Sequence, residues 1–421
     1  MKRFKLLAAV MTVFVSTAAV AGEELSPEAL LPGHESKDSY TPGATFGKDV
    51  YLVAWQAGRL TEGDIRDGLK CTSDIVACRV DKSGKALDVK PFVVSAAKDL
   101  RERPSVAFGA GVFLVVWQDL RNVKDWDVYA ARVTPEGKVL DPDGILVAGG
   151  ARSQCLPRAA WDGKTFVVAW QDLRSNKYYE VCATRISGDG KVLDAQGIGV
   201  SGASDGHRYC PALASGGSGK SFVLWSANKY GFGAYPWSGG TLLTEGVAKQ
   251  TYALDAQRWT ATQLGPEKFC SPLSVAAGPN LYLASWTTAV AAGRGNASAK
   301  SNAAIFDAEG KRLVELMTLS GKPHHIISPD AVWDGAGFVA AWAEQVLASG
   351  KYVHDMLRAT HLSAEGKPSG LVLDVSGTPE SPARAAAVAS DGAGTTLIAY
   401  EKHPEKADTP IKIGFRILTA K

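Results

Sequence analysis

The side chains whose types and spacing point to chemistry are mostly cations. Arg103, Arg152, His207, Arg208, Lys268, His324 and Arg384 fall in short polar segments that each run into an apolar strand, and Tyr209 stands among them. Those segments read Asp99-Leu-Arg-Glu-Arg103, Arg152-Ser-Gln-Cys155, Asp205-Gly-His-Arg-Tyr-Cys210, Glu267-Lys-Phe-Cys270, Lys322-Pro-His-His325 and Glu380-Ser-Pro-Ala-Arg384. Converging arginines grip a carboxylate, sulfate or phosphate through paired N–H donors. His207 would add charge as pH falls through about 6–7, and Tyr209 a hydroxyl. The plainer reading is a solvated rim in which pairs such as Glu102 and Arg103 neutralise each other. A second set, Tyr230, Phe232, Tyr235 and Trp237, alternates with glycines. Flat rings on such a segment suit a sugar or a partner protein, or fill the protein's own interior.

Other chemistries lack their residues. There is no CxxC, no CxxCH and no HExxH, and the adjacent His324 and His325 would point to opposite faces of a strand, so neither metal nor other cofactor is expected. Ser218-Gly-Lys-Ser221 has Ala214 where a phosphate loop needs its first glycine, and no helix follows it. No GxSxG elbow occurs, and no carboxylate pair can be assigned from spacing.

The elements that must position these residues are repeats. Phe113-Leu-Val-Val-Trp-Gln-Asp-Leu-Arg121 returns as Phe166-Val-Val-Ala-Trp-Gln-Asp-Leu-Arg174, and weaker copies place anchors at Trp55, Trp225, Trp286, Trp342 and Tyr400. Seven anchors recur about every 57 residues, the length of a propeller blade with generous loops. In the second repeat, Pro104–Phe108, Val112–Trp117, Asp127–Val133 and Ile145–Val147 read as four strands separated by turns. Asp162-Gly163, Asp334-Gly335 and Asp391-Gly392 are hairpin signals. No helical periodicity is found. The expected fold is all-β, a seven-bladed propeller of four-stranded antiparallel blades, occupying residues 22–421 as one domain.

The seventh repeat ends after its third strand, near residues 411–418, and residues 29–36 precede the first repeat as an outer strand would. An N-terminal strand completing the last blade would close the ring and remove an open edge. A stack of sheets or a β-sandwich would not need such complementary ends. The repeating tryptophans, with Trp161 and Trp333, are read as packing between blades. Asp119-Leu-Arg121 and Asp172-Leu-Arg174 are read as local loop-shaping pairs. In a four-stranded antiparallel blade the loop into the inner strand and the loop joining strands two and three share one face. The cationic segments therefore ring the central mouth, and the long charged insertion from Gly58 to Ser73 overhangs it.

Residues 1–21 carry Lys2, Arg3 and Lys5, no acid, and an apolar run ending at Ala19-Val20-Ala21, the pattern of a secretory leader cleaved near Ala21. Without it the chain holds 43 bases against 43 acids. A neutral chain has no polybasic footprint for nucleic acid, and no run after Val20 could span a bilayer. A periplasmic or secreted protein is expected. Six cysteines in an exported chain imply at least two disulfides, with Cys155 to Cys210 a natural staple between blades.

The Phe-x-x-x-Trp-Gln-Asp-x-Arg strand, the Asp-x-Tyr-x-x-Arg strand and the Gly-Lys-x-Leu-Asp turn resemble exported bacterial β-propeller repeat proteins, most without assigned function. The resemblance implies the fold and export. It is more distantly similar to sialidase-like propellers, whose Ser-x-Asp-x-Gly-x-x-Trp turn is missing. The expected function is a ligand- or partner-binding module for an anionic small molecule, a glycan or a protein at the central mouth. The alternative is a glycan-active enzyme there, a sialidase-like hydrolase or a polysaccharide lyase. Lyases use His, Tyr and Arg in a central groove, the types found at His207, Tyr209 and Arg208.

Overall fold

A computed structural model describes residues 22–34, 37–58, 72–96, 99–202, 206–228, 237–255, 274–292, 296–319, 326–348, 351–406 and 409–420. Seven antiparallel sheets form a ring of blades, with no helix among the described residues. Blade 1 is built from strands Ser39–Gly47, Val50–Ala57, Asp74–Asp81 and Phe92–Ser95, and blade 2 from Arg101–Gly109, Val112–Asp119, Asp127–Val133 and Ile145–Ala148. Blade 3 spans 154–199, blade 4 207–255, blade 5 274–318 and blade 6 326–376, each with four strands. The inner strands touch in sequence around the ring, and that of blade 7, Ala383–Ser390, meets that of blade 1.

Second strands are apolar on both faces because each lies in a sheet sandwiched between neighbouring blades. Trp55, Trp117, Trp170, Trp225 and Trp342 are completely buried there, while the side chain of Trp286 lies outside the described residues. The aromatic residue closing one inner strand lies on a glycine of the preceding blade. A Cβ on Gly109 would stand 2.0 Å from the Trp161 ring, one on Gly278 2.5 Å from Trp333, and one on Gly47 2.1 Å from Phe108. Any side chain there would push the blades apart. On the outside, Arg79, Arg132 and Arg185 each clamp an aspartate of their own blade (Asp88, Asp141, Asp194) and donate onward to Pro135, Gly188 or Glu245 carbonyls of the next.

The ring closes through the N-terminus. Glu24–Leu25 pairs with Leu418 and Thr419, and Ala29–Leu30 pairs with Gly414 and Phe415, on the outer side of the last strand, Lys412–Thr419. The closing element is thus two short pieces that begin earlier than the expected 29–36. Between them Glu28 accepts hydrogen bonds from the Tyr400 hydroxyl (2.7 Å) and Ser376, beside Lys402.

No disulfide is present among the described residues: Cys78, Cys155, Cys182 and Cys210 are thiols, and Cys71 and Cys270 lie outside them. The Gln171 side chain contacts both members of the expected staple, donating to the Cys155 sulfur (3.2 Å) and accepting the Cys210 backbone N–H (3.0 Å). Ser218-Gly219 is the tip of a hairpin, both residues having positive φ, as a turn reading requires.

Candidate site at the central channel

The inner strands share a defect. In blades 1, 2, 3, 4, 6 and 7 the pairing with the second strand slips near the start of the inner strand, between Tyr40/Gly43, Glu102/Ser105, Cys155/Arg158, Tyr209/Ala212, Ile327/Asp330 and Arg384/Ala387, and blade 4 slips again between Ser215/Gly217. Five of these bulges contain a non-glycine residue with left-handed backbone: Thr41 (φ 47), Arg103 (56), Leu156 (55), Cys210 (51) and Ala385 (51). This conformation costs on the order of 1 kcal/mol for a residue bearing a Cβ. Blade contacts hold it in place: the side chain of Gln118 accepts the Leu156 N–H (3.0 Å), Gln171 that of Cys210 (3.0 Å), and Glu401 that of Thr41 (2.7 Å). The Gln of the Trp-Gln-Asp motif therefore reaches the next blade's bulge. The Asp accepts the preceding indole N–H, Trp117 to Asp119 and Trp170 to Asp172, both at 2.8 Å, and is clamped by Arg121 or Arg174.

Gly43, Ser105, Arg158, Ala212, Ser274, Asp330 and Ala387, one from each inner strand, are among the residues that line the channel. They surround a cavity of about 280 Å³, to which Arg103 also contributes. Two members of this ring are charged. Arg158 in blade 3 and Asp330 in blade 6 stand three blades apart, on opposing walls. No ion pair joins them, and the one hydrogen bond of the Arg158 guanidinium among the described residues goes to the Pro157 carbonyl (3.2 Å). Burial and the charge of nearby Arg103 lower the Arg158 pKa, with Asp330 opposing. Asp330 accepts from the Ser274 hydroxyl (3.2 Å), its neighbour Ala331 N–H (3.0 Å) and Val388 N–H of blade 7 (2.9 Å). Burial raises its pKa, and these bonds and Arg158 work against that rise.

Of the residues singled out in the sequence, Arg103 lines this cavity and is exposed, with no ion pair among the described residues. Arg152 is exposed in the segment leading into blade 3, with left-handed backbone (φ 66). His207 is half-buried, accepts the Tyr179 N–H at Nδ1 (3.1 Å) and lies edge-on to Tyr178, and burial lowers its pKa. Arg208 and Tyr209 are buried at the start of blade 4. Arg384 pairs with buried Asp355. Tyr230, Lys268 and His324, with Phe232 and Tyr235, lie outside the described residues, as does the Trp237 side chain, although Trp237 opens the third strand of blade 4.

Arg158 and Asp330 lie inside the strands, past the polar segments that carry the other cations. Their signal in the sequence is a repeat, Pro42-Gly43, Pro104-Ser105, Pro157-Arg158, Pro211-Ala212 and Pro329-Asp330, in which a proline precedes the channel residue and charge breaks the pattern twice.

The fold and ring define a seven-bladed β-propeller with a charged central channel. A protein of unknown function from Dyadobacter fermentans superposes with a TM-score of 0.54 at 14% identity, over 95% of this chain and 100% of that one. A polysaccharide lyase gives 0.54 at 10% identity, over 93% and 94%. An α-L-arabinanase of Penicillium chrysogenum gives 0.46 at 12%, over 93% and 98%. No family model matches the chain, and no protein of curated function matches it in sequence.

Proposed function

We propose that this is an exported binding propeller that takes the anionic group of a small molecule or acidic glycan at the channel mouth, without turning it over. One observation carries the reading: Arg103 and Arg158 stand together on the cavity wall, and neither is ion-paired with an acid among the described residues. Two guanidinium groups held near each other without a carboxylate favour an incoming anion. Arg152 and His207, in the segments entering blades 3 and 4, would extend contacts around the rim. The glycan class is supported by the shape shared with a polysaccharide lyase, which is a likeness of fold. A hydrolase reading is disfavoured by the lining, where Asp330 is the one carboxyl among the described residues and the usual glycosidase mechanism needs two.

The test is titration of the purified protein with oligogalacturonate, a sulfated glycan fragment and a neutral oligosaccharide of equal length, with product formation followed in parallel. Saturable binding of an acidic ligand that weakens with salt and with Arg103→Ala, and no new reducing ends or unsaturated sugars, is the expected result. Equal binding of the neutral chain would overturn the anion site. Turnover would establish the enzyme.

A further inference from the structure

The ring of channel residues contains more charge than its structural task requires. Ser105 and Asp330 occupy the same position in their blades and do the same work, each accepting a backbone N–H from the next blade: Ala159 to Ser105 (3.1 Å) and Val388 to Asp330 (2.9 Å). A neutral hydroxyl suffices for that latch, so the Asp330 charge is surplus to it. Arg158, at the same position in blade 3, has no acceptor with which to form such a latch. Its guanidinium has five N–H donors, and among the described residues one is engaged. Both charges border one cavity of about 280 Å³, and Gly43, Ala212 and Ala387 keep the rest of the ring small. A direct ion pair between them would neutralise the channel, yet none is made.

We infer that the channel binds a small zwitterion spanning the ring, its carboxylate on Arg158 and its ammonium on Asp330. At about 280 Å³ the cavity has room for a molecule the size of an amino acid. The inference rests on the anion reading above for the role of Arg158 and adds the second pole. Each end of such a ligand replaces water with a charge-assisted hydrogen bond in a confined space, where such bonds are strong. Ser274 already holds one Asp330 oxygen in place, so the acceptor is positioned before the ligand arrives.

The test uses a ruler. Glycine, β-alanine, γ-aminobutyrate and 5-aminovalerate are titrated into the full mature protein by calorimetry, each beside the carboxylate and the amine that make up its two halves. One length should bind about tenfold or more tighter than its own carboxylate, a difference of about 1.4 kcal/mol. Asp330→Ser should keep the latch, as Ser105 does in blade 2, and abolish that preference while retaining carboxylate binding. Arg158→Gln should lose both. If every amino acid binds no better than its carboxylate, or if Asp330→Ser leaves the preference intact, the zwitterion site is wrong while the anion reading survives. If neither carboxylates nor amino acids bind and acidic glycans also fail, both are wrong.

Discussion

The side-chain oxygen of Gln118 in blade 2 accepts the backbone N–H of Leu156 in blade 3 at 3.0 Å, across 38 residues of sequence. Leu156 is one of the left-handed bulge residues that shape the channel wall. The bond therefore ties a motif residue of one blade to the wall geometry of the next. Gln118→Leu removes the acceptor and leaves that N–H without its partner, which should lower unfolding free energy by about 1–3 kcal/mol. Denaturant titration checks this, and an unchanged midpoint would mean that the bulge holds without its latch.

Asp119 should be less forgiving. It is fully buried, accepts the Trp117 indole, is clamped by Arg121 and faces the fully buried Arg101 at 3.3 Å. Burial alone would raise its pKa, but Arg121, Trp117 and Arg101 outweigh it and hold the carboxyl below the usual carboxylate range. A lowered folded pKa gives stability that is present above the unfolded value of about 3.9 and is lost as pH falls through the folded value. Asp119→Ala removes the carboxylate facing buried Arg101 and should cost about 3–5 kcal/mol at neutral pH. It should also flatten the acid limb of the stability profile, and an acid limb of undiminished slope would reject this account.

The blades were legible because each repeats the same apolar strand pattern around a buried tryptophan. Phe113–Trp117 and Phe166–Trp170 share one pattern, and the alternation over Asp127–Val133 matches the third strand of blade 2 to the residue. The role of Gln118 was hidden because its partner is a backbone N–H in a strained conformation, which no side-chain pattern encodes. The Arg158–Asp330 relationship was hidden for another reason. It exists only once the ring is closed, when two residues 172 positions apart come to face one space. An even cysteine count likewise carries no information about which cysteines the ring brings close.

The thiols have a measurable consequence. Burial pushes Cys78 and Cys182 up to about 12, so neither supplies useful thiolate at neutral pH. In folded, unreduced protein both should resist iodoacetamide for hours. In denaturant without reductant, Cys78, Cys155, Cys182 and Cys210 should all be alkylated. A disulfide-linked peptide containing any of the four, found by mass spectrometry, would contradict the thiol assignment.

Closure can be tested by truncation. Removing residues 22–31 takes away both pieces paired to the last strand, buried Leu31, and the Glu28 contacts to Tyr400 and Ser376. The exposed edge and lost apolar burial should lower stability by several kcal/mol, with Glu28→Ala costing a fraction of that. A truncated protein that melts with the full one would show that the ring closes without its N-terminus.

In blade 6, His361 and Asp334 meet at 3.0 Å, with the Glu23 carboxyl close enough to feel both charges. The Asp334 hydrogen bond raises the His361 pKa above its ordinary value against the effect of burial, and the Asp334 and Glu23 charges act in the same direction. A histidine whose folded pKa is raised contributes stability that is fully present below its unfolded value of about 6.5 and is lost as pH rises through the folded value. Between pH 6 and 8 the protein should therefore lose stability as pH rises, and His361→Gln should remove that slope while leaving the hydrogen-bonding shape largely intact. The opposite partner acts in acid: Asp334, held below its usual range by His361 and two backbone N–H groups despite burial, gives stability that is present above the unfolded value of about 3.9 and is lost as pH falls through the folded value. Unfolding curves collected across both windows separate the two contributions. A His361→Gln protein with the parent's slope between pH 6 and 8 would assign that slope to another group.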